Sequence, residues 1–355
     1  MNLNILGWNS LYEDAFKKQS GDARFIPARV TRENRDRYEV ISEIGYMWAI
    51  LSGSFSYKTK NGNRPAVGDW VIIDAIPTEN KAIIHGLLPR MTCLARKTAG
   101  ETTEEQVLAA NVDRVFIVTG LNRDFNVRRI ERYLALVKNQ HIEPVILLNK
   151  ADLCPDPLSA LVEVQNIAPE TAVHYLSAAH EDDISFLWRY LTEGITGVLV
   201  GSSGAGKSTI INRLLGADIL RTEEISAAIN KGTHTTTWRE LIVLPQGGMV
   251  IDTPGLRELQ LWVDEDDLSE TFTDIADLAV NCRFRNCTHT NEPGCAVLEA
   301  IEQGILGMDR LANFRKMKKE VMYLERRRDQ KARMADELKW KQISKKGKMI
   351  EKQRY

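Results

Sequence analysis

The sequence predicts an α/β fold: a mostly parallel sheet covered by helices on both faces, preceded by a small β-barrel and followed by a helical segment. Three observations predict it. Short apolar runs separated by turn clusters fill residues 29–97. From about residue 101, apolar runs alternate with amphipathic stretches. After Leu268 the pattern is helical, with one Cys/His cluster interrupting it.

The barrel strands are read at Tyr38–Ile41, Tyr46–Leu51, Trp70–Ile73 and Ala82–Ile84. Gly53-Ser54, Asn61-Gly62-Asn63 and Thr78-Glu79-Asn80 punctuate them, and Val67-Gly68-Asp69-Trp70 reads as a turn entering a strand. Strands this short and this evenly spaced suit a small barrel. Such barrels often bind RNA; a barrel of another use fits the pattern equally. In the sheet domain, strands are read at 115–118, 144–148, 174–176 and 197–200, and helices at 128–137, 158–166 and 184–191. That alternation argues for parallel strands with crossover helices. Strands 241–244 and 249–251, joined by Pro245-Gln246-Gly247-Gly248, read as an antiparallel hairpin at the sheet's edge. The resulting division is an arm at 1–28, a barrel at 29–100, the sheet domain at 101–260, a metal-binding helical domain at 261–330 and a basic tail at 331–355.

Composition narrows the class. The 355 residues are 43% hydrophobic and 27% charged, which excludes a wholly disordered, collagen-like or coiled-coil chain. No apolar run approaches the ~18 residues needed to span a bilayer, and Met1–Trp8 lacks a basic start, so no secretory signal and no membrane partner are expected. Five cysteines point to a reducing cytoplasm and to metal binding rather than a disulfide scaffold. The net charge of −1 hides an asymmetry: residues 310–355 hold 17 Lys and Arg against 6 Asp and Glu. A basic tail on an acidic body suits a polyanionic partner. A solvated tail is the plain alternative.

Gly201-Ser202-Ser203-Gly204-Ala205-Gly206-Lys207-Ser208-Thr209 follows the strand Val198–Val200 and opens an apolar helix. It matches G-x-x-x-x-G-K-S/T, a loop whose inward amides and helix N-terminus cradle phosphates. Lys207 would reach the β- and γ-phosphates, and the Ser208 hydroxyl would bind Mg²⁺. The base is set by Asn149-Lys150-Ala151-Asp152. The Asp152 carboxylate can accept both guanine N1–H and the N2 amino group, which adenine does not offer. Asn149 can hold loop and base, and the Lys150 stem can cover the purine face. Ser177-Ala178-Ala179 can offer amides to guanine O6. In Asp252-Thr253-Pro254-Gly255, Asp252 can hold Mg²⁺ through water and the Gly255 amide can meet the γ-phosphate.

The order of these motifs is permuted. GTPases of the Ras type run phosphate loop, switch threonine, D-x-x-G, N-K-x-D, S-A; here the base-reading motifs come first. Strands of one sheet can be reconnected without moving the site they build. The permutation leads the switch segments directly into whatever follows residue 255. Cys282, Cys287, His289 and Cys295 form C-x₄-C-x-H-x₅-C, a donor set that suits a closed, structural Zn²⁺ site. Cys93 and Cys154, and His85, His141, His174 and His180, have no partner pattern and are assigned no role. Leu311, Phe314, Met317, Val321 and Leu324 recur at helical spacing in a basic run.

The permuted order, the segment Gly232-Thr233-His234-Thr235-Thr236-Thr237 and the Cys/His pattern together resemble the RsgA (YjeQ/YloQ) family of bacterial GTPases, over about residues 30–310. The resemblance implies a circularly permuted P-loop GTPase domain, preceded by a small OB-type β-barrel and followed by a zinc-binding α-helical domain. It implies GTP binding and hydrolysis, GDP as product, stimulation by the small (30S) ribosomal subunit, contact with its rRNA, and a role in late subunit maturation. A monomer with one zinc ion is expected. Thr235 or Thr236 would be the switch threonine that senses Mg²⁺. Leu256 stands where Ras-type enzymes place a water-orienting Gln. The resemblance makes His234 the catalytic candidate; packing or binding rRNA phosphate is its alternative role. Gly204 stands where some related GTPases carry an Asn that coordinates K⁺, so no potassium ligand is indicated.

Two rivals follow from the same residues. A P-loop ATPase or kinase is disfavoured by Asp152. An RNA-binding assembly protein with a nucleotide switch and negligible turnover is kept in view by Leu256.

Overall fold

A computed structural model describes residues 2–34, 37–59, 64–97, 105–122, 125–180, 182–217, 239–252, 268, 271–319 and 321–322. The chain divides into two units, Met1–Leu261 and Trp262–Tyr355.

In the first unit, helix α1 (Ser10–Ser20) precedes the barrel strands β1 (Phe25–Glu33), β2 (Tyr38–Ser42), β3 (Gly45–Leu51), β4 (Trp70–Ile76) and β5 (Lys81–Leu87), with helix α2 (Gly53–Lys58) between β3 and β4. The pairing order β1-β2-β3-β5-β4 closes because β1 also pairs β4, and β3 runs parallel to β5. That is a five-stranded OB-type barrel. Its interior is a period-two set, including Val30, Val40, Met47, Ala49, Val71 and Ile84, all buried. The opposite face of β3 leaves Tyr46, Trp48 and Ile50 exposed, with the Arg37 guanidinium 5.3 Å from the Trp48 ring centre.

A hairpin of β6 (Cys93–Lys97) and β7 (Glu105–Ala110) leads into the second sheet region. There β8 (Arg114–Gly120), β9 (Glu143–Asn149), β10 (Ala172–Tyr175), β11 (Thr196–Val200) and β13 (Met249–Asp252) are parallel in the order β10-β9-β8-β11-β13. Every residue of β11 is buried, as expected for a strand covered on both faces. Helices α3 (Val127–Asn139), α4 (Pro157–Ile167) and α5 (Lys207–Leu215) supply the covers. Caps set their starts: Asn126 accepts from the Arg129 amide, and Asp156 caps α4 with Pro157 in its first turn.

Two expectations are corrected. The stretch 184–191, read as a helix, lies largely in a 3₁₀ segment, Asp182–Arg189. The hairpin of β12 (Glu240–Val243) and β13 does not sit at an edge. β13 pairs β11, and β12 pairs β1 of the barrel, so one eleven-stranded sheet runs through both regions.

Arg29 explains how the junction is held. It is 2% exposed, and among the described residues its donors reach neutral acceptors from five segments. Nε donates to Gly68 O at 3.1 Å, and Nη2 to Asn111 O at 3.0 Å and Thr196 Oγ1 at 2.9 Å. Nη1 donates to Leu6 O and contacts Met249 Sδ. A buried guanidinium is tolerable only when its donors are satisfied. Arg29 thereby ties arm, barrel and parallel sheet together.

The second unit contains α6 (Thr273–Ala279), α7 (Ala296–Glu302) and a helix over 308–319. Leu311, Met317 and Val321 are buried, and the Phe314 ring meets Phe272 at 5.4 Å. Arg310 grips both carboxylate oxygens of Asp274 at 2.8 and 3.0 Å. Leu324 and the tail 331–355 lie outside the described residues.

Candidate functional site

The phosphate loop leaves the buried end of β11 and enters α5 with no side-chain cap. Its glycines answer to space. A Cβ on Gly201, at φ +147°, would lie 2.1 Å from Val118 O. A Cβ on Gly206, at φ +97°, would lie 2.1 Å from Asn149 Nδ2. The second contact shows why a glycine is needed there: the base-reading loop packs against the phosphate loop. Ser203 and Gly204 form the exposed tip, while Lys207, Ser208 and Thr209 open α5 half-buried. Lys207 Nζ donates to Gly201 O at 2.9 Å and Ser202 O at 2.6 Å, which lays its ammonium along the loop.

Asn149 ends β9, and Lys150 takes a left-handed conformation at φ +62° that turns the chain into the 3₁₀ segment Ala151–Leu153. Asn149 is 2% exposed and bridges two loops. Its Nδ2 donates to Ala205 O at 2.8 Å, and its Oδ1 accepts the Ala178 amide at 3.0 Å. The Ser177 hydroxyl donates to Asp152 Oδ1 at 2.6 Å, so the carboxylate is oriented from the side of the Ser177-Ala178-Ala179 loop. The three motifs, far apart in sequence, are thus bonded into one cradle at the carboxyl ends of β9, β10 and β11. In open α/β sheets, that end is where ligands bind.

Asp252 closes β13, opposite Glu240 of β12. Burial pushes its carboxyl above the usual range; Lys207 lowers it and Glu240 raises it further. His234, Thr235, Thr236 and Gly255 lie outside the described residues.

In the second unit, the donor atoms of Cys282, Cys287, His289 and Cys295 lie within 4.8 Å of one another. Cys282 Sγ is 3.9 Å from Cys295 Sγ and 3.7 Å from His289 Nδ1, and Cys295 Sγ is 3.4 Å from His289 Nδ1. Tetrahedral ligation at Zn–S ~2.3 Å places sulfurs about 3.8 Å apart, so the donors fit such an ion. Burial, then Lys318, hold His289 below the ordinary histidine value, which favours the neutral, ligating imidazole. Glu292 organises the loop: its carboxylate accepts the amides of Thr288 and Thr290 at 2.8 Å and of Asn291 at 3.1 Å.

The motif reading missed residues whose roles depend on tertiary contact: Arg29, Glu240, Glu292 and Arg213, treated below. No short pattern marks them, although an acidic residue three places beyond a ligating histidine was a weak signal for Glu292.

Comparison with known proteins decides the family. Residues 87–262 match the family described as RsgA GTPase. The chain is 47% identical over 354 residues to the small ribosomal subunit biogenesis GTPase RsgA of Opitutus terrae, covering 97% of this chain and 96% of the relative. The chain belongs to the RsgA GTPase family. Two solved structures are similar to it. YjeQ from Thermotoga maritima is 27% identical at a TM-score of 0.62, with 84% of this chain and 99% of that one covered. YloQ, described as a circularly permuted GTPase, is 25% identical at a TM-score of 0.60, with 84% and 96% covered. The architecture is therefore a circularly permuted P-loop GTPase preceded by an OB-type barrel and followed by a helical domain with a Cys₃His metal site. As an RsgA GTPase, the chain hydrolyses GTP. No helix among the described residues is long and apolar enough to cross a membrane.

Proposed function

We propose that the chain binds the small (30S) ribosomal subunit during late maturation and hydrolyses GTP to time its own release, with the subunit stimulating hydrolysis. The relatives' shared name supports the partner. The observation that carries the timing is the pairing of β12 with β1. The strand that follows the segment holding His234, Thr235 and Thr236 is hydrogen-bonded to the barrel, with Arg32 registered against Glu240. A change at β12 on loss of the γ-phosphate would load the barrel directly. The barrel offers Tyr46, Trp48 and Ile50 for rRNA contact, and residues 29–97 hold 11 Lys and Arg against 7 Asp and Glu, while residues 98–309 hold 16 against 32. Aromatic faces and local positive charge suit stacked bases and phosphates.

In this reading Asn149–Asp152 and Ser177–Ala179 take the base. Gly201–Thr209 and Gly255 take the phosphates. Ser208, Asp252 and one of Thr235 and Thr236 hold Mg²⁺, which supplies charge neutralisation at the phosphates. His234 orients the attacking water. Cys282, Cys287, His289 and Cys295 hold one structural Zn²⁺. The protein acts as a cytoplasmic monomer; the barrel begins with β1 at Phe25 rather than at residue 29, and the GTPase, zinc and tail segments follow with boundaries at 100, 260 and 330.

The test is a release assay. Purified subunits are incubated with the protein and GTP, or with a non-hydrolysable GTP analogue, and sedimented. Retention with the analogue and release with GTP is the expected result. Equal release with both would leave a second reading: an assembly protein with a nucleotide switch, which Leu256 after Gly255 favours because a leucine cannot orient water. His234→Ala should lower the stimulated rate if that residue orients water, and leave it unchanged otherwise.

A further inference from the structure

Arg213 lies on α5, six residues beyond Lys207, on the helix that begins at the phosphate loop. Its Nη2 donates to Ala179 O at 3.2 Å, and its Nε reaches Ala178 O at 3.5 Å. We infer that Arg213 is a positioning residue for the guanine base: it fixes the peptide plane whose amide meets O6, and fastens that plane to the phosphate-loop helix. The inference rests on reading Ser177-Ala178-Ala179 as the O6 contact.

A trans peptide is planar, and its C=O and N–H point in opposite directions. No described residue has a cis peptide. Ala178 C=O and Ala179 N–H belong to one such plane. Holding the carbonyl from α5 therefore directs the Ala179 amide away from α5. That amide has no partner among the described residues, whereas its neighbours are committed. The Ala178 amide goes to Asn149 Oδ1, and the His180 amide to Ser177 O at 3.0 Å. Ala179 is thus the donor left for a ligand, and Arg213 sets its direction. A guanidinium on the carbonyl also draws charge from the peptide and strengthens the amide as a donor.

Without Arg213 the segment keeps the Asn149 bond to the Ala178 amide and the Ser177 bond to Asp152, but the Ala178 carbonyl loses its tie to α5. The base loop would then swing while the phosphate loop kept its own bonds through Lys207. Base affinity and phosphate affinity should separate in a way that general damage to α5 would not produce.

Calorimetric titration of GDP, ADP and inorganic pyrophosphate into the full chain tests this, using wild type, Arg213→Met and Arg213→Lys. Arg213→Met keeps the aliphatic stem and removes the donors. It should weaken GDP about tenfold, the cost of losing one charge-assisted contact, while pyrophosphate binding stays within about twofold. Arg213→Lys, able to hold one carbonyl, should recover part of the loss. GDP binding by Arg213→Met at the wild-type level would overturn the inference. So would parallel loss of GDP and pyrophosphate in both variants, since that marks a damaged helix. Equal affinity of the wild type for GDP and ADP would overturn the underlying guanine reading, and it is visible before any variant is made.

Discussion

Glu240 faces Asp252 across the β12–β13 ladder, and the same Glu240 carboxylate is held by Arg32 of the barrel at 2.5 Å. Arg32 also reaches Glu39, at 3.7 Å. One acidic residue therefore touches both the strand end that carries Asp252 and the barrel. Arg32→Ala leaves the Glu240 charge uncompensated beside Asp252, whose carboxyl burial already disfavours as an anion. The magnesium-dependent part of GDP affinity should fall about two- to fivefold, and the exchange Arg32→Glu with Glu240→Arg should restore part of it. Both side chains are about a third exposed, so the stability change should stay under about 1 kcal/mol. GDP titrations at graded Mg²⁺ concentrations measure the effect.

Base choice should follow Asp152. Asp152→Asn replaces one acceptor with a donor and disturbs the Ser177 bond. Guanine then meets an amide where it offers its N2 amino group, while xanthine, with an oxygen there, is matched. GDP affinity should fall about a hundredfold, near 2.7 kcal/mol, with xanthosine diphosphate binding gained. Competition between the two nucleotides reads this directly.

Metal removal should act on the second unit. A preformed Cys₃His site contributes its binding energy to folding. Strong chelation, or Cys295→Ser, should lower the first thermal transition and expose the 308–319 helix to proteolysis, while GDP affinity measured below that transition stays. Limited proteolysis with and without chelator checks both points.

His174 gives a pH dependence. Its Nε2 lies 2.8 Å from Tyr190 Oη, and burial, aided by Arg189, holds its value below the ordinary 6.5. The folded chain therefore binds this proton less readily than the unfolded chain. The associated stability is complete above 6.5 and is lost as pH falls through the lowered folded value. The urea midpoint should drop between about pH 7 and 5.5, and His174→Gln should flatten that drop.

What the sequence disclosed depended on whether one short segment carried the signal. The loop Gly201–Ser208 and the cluster Cys282–Cys295 are local, and their residue types follow from amides, charge and thiolates. The strand at Phe25–Glu33 was not read, and its first residues were assigned to the arm, because β1 packs on two regions at once; Arg29, polar in sequence, is buried at their junction. The hairpin β12–β13 was legible as a hairpin, but its place was not, because β12's partner lies some 208 residues away at Arg32. The 3₁₀ segment Asp182–Arg189 has the amphipathic spacing of a helix, which does not distinguish the tighter turn. Arg213 was invisible for a related reason: the carbonyls it holds belong to a loop 34 and 35 positions earlier.

The central claim is a GTPase gated by the small ribosomal subunit. Its most direct test is GTP and ATP hydrolysis by the purified protein, alone and with small subunits. Slow GTP turnover that rises strongly with the subunit, and no ATP turnover, is the predicted result. GTP turnover unchanged by the subunit, or ATP hydrolysed as readily as GTP, would contradict it.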